Sequence, residues 1–401
     1  MKKLFSTVLA LCFLVSIAYA QEMKAVSEFE GGKLYKAGKI NVLELRGSYR
    51  QMGRQYGGLL KGDWEKCYQI AFEKYFIGNN GMTYETLDKI AKDYFRRLPK
   101  RLQDLIYGMA ETSGISLEKH ILLNTLDACA EIWGAYGKLI PGTQGMGCSA
   151  IVAWGKYTGG GPLVVGRNYD YLSYFEELLP FMECVVYNPN DGSIPTASFA
   201  FLGAVYTQNG MNKNGIFLEL NDEESTGAIT RRDRVPNMAN LMLFLLDYPT
   251  MDGINTGFNT TLPDFACIIQ VADKDAAYSY EWATYGLRRK AGSADGLLAV
   301  SNDFTDPSWG LWPSPLGEST ERRENLYALG DKYKGRLNVD TMKKLLGIPI
   351  DKGGATRPKN PKIETLYQMI AVPAELKWWI NLTGYQGWTE INLAPLFAKE
   401  E

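Results

Sequence analysis

Residues 147–154 read GCSAIVAW and residues 162–170 read PLVVGRNYD, and this stretch decides the fold. Both runs are apolar and rich in β-branched residues, and Gly159-Gly160-Gly161 lies between them. Apolar β-branched runs on either side of a glycine cluster are typical of a β-hairpin. The sequence therefore predicts two antiparallel strands, with Cys148 at the start of the first.

The chain after this hairpin keeps the same character, because most of its apolar runs are short and bounded by turn residues. Strands are predicted at residues 181–187, 196–201, 215–219, 265–272, 277–283, 296–300, 365–371 and 376–382. Helices are predicted at residues 236–247, 319–332 and 339–345. Consecutive strands interrupted by a few helices predict an α+β fold with mainly antiparallel sheets.

The chain before Cys148 has a mostly helical pattern, from residue 41 to about residue 133. Gly47-Ser48 opens a segment of helical periodicity. Further helices are predicted at residues 83–95, 98–112 and 116–129. The stretch GKLIPGTQGMG at residues 137–147 has no periodic hydrophobicity and predicts an exposed loop, so the cysteine follows directly on a loop.

The first twenty residues read as a secretory leader, in which two lysines precede an apolar run that ends in Ala18-Tyr19-Ala20. A lipoprotein signal at Cys12 is the less favoured alternative, because the apolar run continues past it. We expect an exported protein, periplasmic or extracellular, without stable membrane insertion. Its expected parts are a signal peptide (1–20), a mostly helical pro-segment (21–147) and a strand-rich part (148–401).

The charge of the chain gives no reason to expect a nucleic-acid partner or an anionic membrane surface. The sequence has 43 basic and 45 acidic residues, mixed along the chain, for a formal net charge of -2. A chain that binds nucleic acid or anionic lipid commonly carries a basic patch. A small uncharged or amphiphilic substrate fits this balance better.

The counts of cysteine and histidine restrict the chemistry further. The chain has a single histidine, His120, and no spacing of Cys and His that is typical of zinc, so no metal and no cofactor is predicted. Five cysteines remain after the leader, an odd number, so at least one thiol is unpaired or pairs outside the chain. They are Cys67, Cys129, Cys148, Cys184 and Cys267.

The position of Cys148 suggests a nucleophile that needs no histidine. Cleavage of the Gly147–Cys148 bond would give the cysteine a free α-amine, whose ordinary pKa is about 7.7–8.0, and this amine can act as a base for the thiol. The predicted hairpin returns Arg167 and Asp170 to its neighbourhood. An arginine can lower the pKa of a thiol, and an aspartate can orient the new ammonium.

These residues resemble those of a known family. GCSAIVAWG followed by GRNYDY is similar to the choloylglycine hydrolase and penicillin acylase superfamily of N-terminal-nucleophile hydrolases. The layout is closest to its acyl-coenzyme A:6-aminopenicillanate acyltransferase branch, which carries a helical pro-segment before the cysteine. LRGSYRQMGRQYGGLL at residues 45–60 is similar to the entry helix of that branch, with Gly47, Gly53 and Gly57 in place.

Further resemblances follow in the order of the family. GMNKNGI at residues 210–216 resembles its G-[MV]-N-x-x-G-[LI] hairpin, and Asn221 stands near the position of an oxyanion-site asparagine. Val300-Ser301-Asn302 resembles the strand end that supplies a second asparagine. STERR at residues 319–323 resembles a helix start with a supporting arginine, which is Arg322 or, in the alternative register, Arg323.

The resemblance implies a four-layer αββα sandwich and a self-cleaving amidase with no cofactor. Cys148 would be the nucleophile, Gly147–Cys148 the scissile bond, and Arg167 and Asp170 the groups that steady the new terminus. The remaining implied site residues are two oxyanion donors and one supporting residue, Asn221, Asn302 and Arg322. The implied partner is a small acyl-amide substrate, with the two fragments remaining associated and a higher oligomer left open.

Other functions stay open at this stage. The acyl group could pass to an amine, which would make the protein an acyltransferase, or the substrate could be an ester. A different class is an exported carbohydrate- or peptide-binding protein whose aromatic residues stack on a ligand. The tryptophans that would serve it are Trp309, Trp312, Trp378, Trp379 and Trp388.

Overall fold

The computed structural model describes residues 23–135, 147–223, 231–311 and 317–398. The predicted leader and residues 137–146 of the predicted loop lie outside these ranges. Within them no helix combines the length and the apolar character needed to cross a membrane.

The described residues form sixteen strands. They are β1 Ser27–Phe29, β2 Gly32–Ala37, β3 Ile40–Gly47, β4 Ser149–Ala153, β5 Val164–Leu172, β6 Met182–Pro189, β7 Thr196–Phe201, β8 Asn209–Asn212, β9 Phe217–Asp222, β10 Cys267–Ala272, β11 Ala277–Ala283, β12 Gly286–Ala291, β13 Leu297–Val300, β14 Ile363–Val372, β15 Lys377–Leu382 and β16 Gln386–Asn392.

Ten α-helices accompany these strands in the described ranges, together with a π-helix at Gln69–Asn79. The α-helices are α1 Tyr49–Leu59, α2 Trp64–Tyr68, α3 Tyr84–Arg97, α4 Lys100–Thr112, α5 Leu117–Leu123, α6 Leu126–Ala135, α7 Asn237–Asp247, α8 Met251–Thr260, α9 Gly317–Lys332 and α10 Val339–Leu346.

The strands form two sheets. The larger sheet has the order β1-β2-β3-β6-β7-β8-β9-β10-β11-β12, and the smaller one β13-β4-β5-β14-β15-β16. Strand β3 pairs with β6 in parallel, whereas the other pairs are antiparallel. The predicted α+β fold with mainly antiparallel sheets is confirmed, and β4 and β5 form the predicted hairpin.

Successive side chains of a strand point to opposite faces of its sheet, and each face of the two sheets packs in a hydrophobic core. Leu218 and Leu220 of β9 pack with α7 and α8, so that these helices cover the outer face of the larger sheet. Ile151 and Ala153 of β4 pack with α9 and α10 on the outer face of the smaller sheet. The inner faces share a third core that also receives the N-terminal helices. The four-layer αββα arrangement is confirmed.

The segment before Cys148 differs from the prediction at its start. Residues 40–47 were expected to begin a helical region, but they form strand β3, and β1 and β2 precede it in the same sheet. The helix begins only after Ser48, whose hydroxyl accepts the backbone N–H of Gln51 while the Gln51 side chain accepts the backbone N–H of Ser48. The segment before Cys148 therefore contributes three strands to the larger sheet.

Several elements carry no apolar pattern and were not predicted. Strands β12 (GLRRKA) and β16 (QGWTEIN) are polar because they lie at sheet edges, where much of each strand remains exposed. Helix α8 contains Gly253 and Gly257, which lower its helix propensity. The short strand β8 lies within the GMNKNGI region and was also missed.

The thiols and the histidine of the described region are buried. The described cysteines, Cys67, Cys129, Cys148, Cys184 and Cys267, form no disulfide, in line with the expectation of at least one unpaired thiol. His120 lies in the core, where its Nε2 is 2.6 Å from the hydroxyl of Ser113 and its ring packs against Trp64. Burial lowers the pKa of His120 to about 3, which leaves this imidazole neutral.

The glycines of the entry helix have a packing role. A Cβ atom at Gly53 would lie 2.1 Å from the carbonyl oxygen of Leu105, and one at Gly57 would lie 2.4 Å from that of Met109. Helices α1 and α4 therefore approach so closely that only glycine fits at these two positions.

Substitution at this contact gives the first prediction. Gly53→Ala should lower the free energy of unfolding by about 1–3 kcal/mol, because the backbones of α1 and α4 must separate to admit the methyl group. Urea denaturation followed by tryptophan fluorescence measures the change. Gly62→Ala is the matched control, since a Cβ there meets nothing within 4 Å. Equal midpoints for the two variants would contradict this account of the contact.

Candidate active site

Cys148 lies immediately before β4, at the end of the sandwich. Its hairpin partner places Arg167 opposite Ala150 in the register of β4 and β5. The Arg167 guanidinium donates from Nη2 to the Cys148 Sγ over 3.1 Å, and both side chains are buried. The predicted approach of Arg167 to the thiol is thus present in the structure.

Arg167 also joins the two sheets. From β5 of the smaller sheet it reaches β9 of the larger one, where it forms an ion pair with Glu219 and donates to the carbonyl oxygen of Leu220. Both members of the ion pair have no exposed side-chain surface. Burial raises the pKa of the Cys148 thiol to about 12, although the Arg167 charge acts in the opposite direction. The thiol is therefore protonated at neutral pH in the uncleaved chain.

Arg322 of α9 binds the backbone on both sides of the predicted scissile bond. Its Nη1 donates to the carbonyl oxygen of Gly147 over 3.0 Å and to that of Cys148 over 2.9 Å. Its Nη2 donates to Asn302 Oδ1 over 2.7 Å. Arg323 instead pairs with Asp303. Of the two registers left open by the sequence, the structure places Arg322 beside Cys148.

Gly147 has no room for a side chain. A Cβ atom at this position would lie 2.4 Å from Asn302 Oδ1 and 2.9 Å from Arg322 Nη2. The residue before the cysteine is therefore glycine because Asn302 and Arg322 approach its backbone directly.

The two predicted oxyanion asparagines are both buried near this point, and each amide already donates one hydrogen bond. Asn302 Nδ2 donates to the carbonyl oxygen of Asp222 over 2.7 Å. Asn221 Nδ2 donates to Glu219 Oε1 over 2.8 Å, and its Oδ1 has no hydrogen-bond partner among the described residues. Each Nδ2 keeps a second N–H, which is available to donate to an oxyanion.

Asp170 belongs to a different face of β5 from Arg167, because the two residues are three apart along the strand. Its Oδ1 accepts the Thr365 hydroxyl over 2.6 Å, and its Oδ2 lies 3.1 Å from Arg357 Nε and 3.9 Å from Arg322 Nη1. Burial raises the pKa of Asp170, opposed by the charges of Arg357 and Arg322. The Asp170 carboxylate thus acts on the cysteine through Arg322, whereas the Asp170 backbone forms a hydrogen bond with the thiol itself.

Three acidic residues of the site were not predicted. Glu219 lies two residues before Asn221 on the same face of β9, so strand alternation could have identified it. Asp127 of α6 accepts a hydrogen bond from the Tyr206 hydroxyl, and burial raises its pKa to about 6. Burial, reinforced by the charge of Asp127, raises the pKa of Asp222 to about 7. No motif in the sequence marks Asp127, which lies in the segment before Cys148.

The tryptophans suggested for a ligand-binding surface do not form one surface. Trp378 is fully buried, and Trp379 is 9 % exposed. Trp309 donates from Nε1 to Glu281 over 2.6 Å. Trp388 is half-buried and packs against the core beneath α9 and α10, and Trp312 lies outside the described residues. Core packing accounts for Trp378, Trp379 and part of Trp388.

Comparisons with known proteins give structural similarity only: no family model and no curated protein matches the chain. One similar structure is a Caenorhabditis elegans ortholog of N-acylethanolamine-hydrolyzing acid amidase, with 19 % identity and a TM-score of 0.43, over 56 % of this chain and 93 % of that one. A mutant conjugated bile acid hydrolase from Clostridium perfringens has 12 % identity and a TM-score of 0.45, over 63 % and 95 %. Penicillin V acylase from Agrobacterium tumefaciens has 10 % identity and a TM-score of 0.43, over 63 % and 89 %.

The buried ion pair between the sheets gives the second prediction. Glu219→Gln should lower the free energy of unfolding by about 3–5 kcal/mol, because Arg167 then remains buried without its charged partner. Urea denaturation measures the loss. Glu176→Gln, which removes an exposed carboxylate paired with Lys359, is the matched control and should leave the midpoint unchanged. A midpoint for Glu219→Gln that equals the control would mean that the pair does not stabilise the fold.

Proposed function

We propose that this protein is an exported, self-cleaving N-terminal-nucleophile amidohydrolase of the choloylglycine hydrolase and penicillin acylase superfamily, which hydrolyses linear amides through Cys148. One observation carries the proposal. The carbonyl oxygen of Gly147 accepts a hydrogen bond from Arg322 at 3.0 Å, while the thiol of the next residue is bound to Arg167. A polarised carbonyl thus lies next to a candidate nucleophile.

Self-cleavage proceeds in two steps in this proposal. The Cys148 sulfur adds to the carbonyl carbon of Gly147, and Arg322 stabilises the negative charge that develops on the oxygen. The carbon–nitrogen bond then breaks, the nitrogen takes up the thiol proton, and a thioester links Gly147 to the sulfur. Water hydrolyses the thioester, which releases the Gly147 carboxylate and leaves Cys148 with a free thiol and a free amine.

Amide hydrolysis then uses the same sulfur. The α-amine of Cys148 takes the thiol proton, and the thiolate adds to the substrate carbonyl. The leaving amine departs with a proton, and water hydrolyses the acyl-thioester. No imidazole is available for this role, since His120 is held in the core by Ser113 and Trp64. The proposal requires no metal and no cofactor.

The roles of the neighbouring residues follow from their contacts. Arg167 holds the thiol, and Arg322 with Asp170 fixes the backbone of the new terminus. Asn302 and Asn221 supply amide donors for the oxyanion through the second N–H of each Nδ2.

The two fragments remain associated in this proposal. Strand β3 of the pro-segment pairs with β6 along seven residues, and the helices of the pro-segment share a core with both sheets. Cleavage at Gly147 breaks none of these contacts. The partner is a small acyl-amide substrate, and acyl transfer to an amine would use the same thioester.

The main test compares wild-type protein with Cys148→Ala. Purified wild-type protein should separate into two fragments on a denaturing gel, the second beginning Cys-Ser-Ala-Ile, and should hydrolyse chromogenic N-acyl amides. Cys148→Ala should remain one chain and be inactive, because it lacks the sulfur for both reactions. Cys184→Ala, which removes another buried thiol, is the matched control and should cleave normally.

The outcomes of this test separate the parts of the proposal. An uncleaved wild-type chain without hydrolysis would contradict the whole proposal. Normal cleavage without hydrolysis of any amide, but with turnover of the corresponding esters, would reassign the substrate class. Acyl products formed only when an amine is added would identify a transferase.

The contacts of Gly147 give a further prediction, on the rate of self-cleavage. Gly147→Ala should slow cleavage by about a hundredfold, because the added methyl group displaces Asn302 and Arg322 from the carbonyl. Arg322→Gln should slow it by about a hundredfold or more, because it removes the donor to the oxyanion. Time courses on denaturing gels measure both rates.

Gly387→Ala is the control for the first of these variants, since a Cβ there meets nothing within 4 Å. Arg336→Gln is the control for the second, because Arg336 is exposed and donates from Nη2 to the Lys332 carbonyl oxygen. Normal cleavage in Arg322→Gln would show that another group polarises the Gly147 carbonyl.

A further inference from the structure

A cavity of about 240 Å³ lies beyond the free edge of strand β13. Its walls come from β11 and β12 of the larger sheet, from β13 of the smaller sheet and from α9. Cys148, Arg167, Asn302 and Arg322 are not among its lining residues. The cavity is therefore separate from the candidate active site, although it adjoins that site through the residues on either side of Asn302.

The edge of β13 presents a backbone donor and acceptor to this cavity. The Trp154 N–H donates to the Gly296 carbonyl oxygen. From this pair onward, the backbone N–H and C=O groups of successive β13 residues point alternately toward β4 and away from it. Leu297 faces away, since its carbonyl oxygen accepts the N–H of Ser293. Ala299, two residues later, faces away as well and lines the cavity. Its N–H and C=O can pair with a ligand as with a neighbouring strand.

The opposite wall carries a hydroxyl and an ammonium. Ser279 and Lys290 are cross-strand partners of β11 and β12, so their side chains lie on the same face of the sheet. Tyr278 and Tyr280 pack toward α7 and α8, so Ser279 points to the inner face and into the cavity. Ser279 is 3 % exposed, and its hydroxyl has no hydrogen-bond partner among the described residues. Lys290 Nζ donates to the Thr305 hydroxyl and keeps two further N–H groups.

The two carboxylates of the cavity are already engaged. Glu281 accepts hydrogen bonds from the backbone N–H groups of Thr305 and Asp306, from the Thr305 hydroxyl and from Trp309. Asp303 pairs with Arg323. Burial would raise the pKa of Asp303, but Arg323 and nearby hydroxyls outweigh it, so the net shift is downward and the carboxylate is ionised. The positive charges of Lys290 and Arg323 are thus balanced by the two carboxylates. The polar groups of the walls that remain available to a ligand are mainly hydrogen-bond donors.

We propose that this cavity binds a short N-acyl amino acid, whose amide pairs with the backbone of Ala299 and whose carboxylate is bound by Lys290 and Ser279. A secondary amide offers the adjacent donor and acceptor that a strand edge recognises. A carboxylate accepts the hydroxyl and ammonium hydrogens in charge-assisted hydrogen bonds. The site is a binding site apart from Cys148, and it goes beyond the proposed amide hydrolysis.

Calorimetric titration of the full chain with N-acetylglycine tests this site. The protein carries Cys148→Ala, so that the ligand is not consumed. We expect saturable binding of one ligand per chain, weakened at least about tenfold by Lys290→Met and by Ser279→Ala, since each removes a hydrogen bond to the carboxylate. Arg289→Met is the matched control, because Arg289 lies next to Lys290 but packs over Tyr278 on the other face. It should bind as the parent does.

Two ligand controls define the chemistry. The methyl ester of N-acetylglycine lacks the carboxylate, and acetate lacks the amide, so both should bind at least about tenfold more weakly. An absence of saturable binding across the millimolar range would overturn the proposal. So would Lys290→Met and Ser279→Ala proteins that bind N-acetylglycine as tightly as the parent protein does. Tighter binding of inorganic phosphate than of N-acetylglycine would overturn it as well. None of these results bears on self-cleavage, which is measured on protein with Cys148 intact.

Discussion

The guanidinium of Arg167 is the interaction on which the rest of the site depends. It links β5 of the smaller sheet to β9 of the larger one through Glu219 and the Leu220 carbonyl, and it also binds the Cys148 sulfur. A buried arginine has to be neutralised, and a buried sulfur has to be positioned. Because one side chain does both, the spacing of the two sheets and the placement of the Cys148 sulfur are set together.

Arg322 performs the corresponding task on the backbone. It binds the carbonyl oxygens of Gly147 and Cys148 and is itself fixed by Asn302. Under the proposed function, a substrate carbonyl takes the place that the Gly147 carbonyl has in the uncleaved chain. Under the proposed function the same set of donors therefore acts first on the chain itself and afterwards on a substrate. The second amide N–H of Asn302 and of Asn221 would belong to this set of donors.

The sequence predicted the elements that have a regular apolar pattern. The β4–β5 hairpin, α4 and β11 lie close to their predicted bounds. In these elements the apolar and β-branched residues recur with the period of the helix or strand, because those side chains are buried against the core. The polar edge strands β12 and β16 and the glycine-containing helix α8 lack that pattern, since their positions are stabilised by neighbouring elements. Cys148, Arg167 and Arg322 could be predicted from motifs. Asp127 could not, because only the tertiary fold brings α6 to this end of the sandwich.

The acidic residues around Arg167 suggest how cleavage changes the site. Burial raises the pKa of the carboxyl groups of Asp127, Glu219 and Asp222, and the charge of Arg167 opposes this effect at Glu219 and Asp222. Glu219 is paired with Arg167, and the charge of Asp127 adds to the effect of burial on the pKa of Asp222. Under the proposed function, cleavage adds the α-ammonium of Cys148 at this point. A new positive charge lowers the pKa of neighbouring carboxyl groups and of the thiol alike. Scission of one peptide bond would therefore shift the whole cluster toward the ionised state in which the sulfur is nucleophilic.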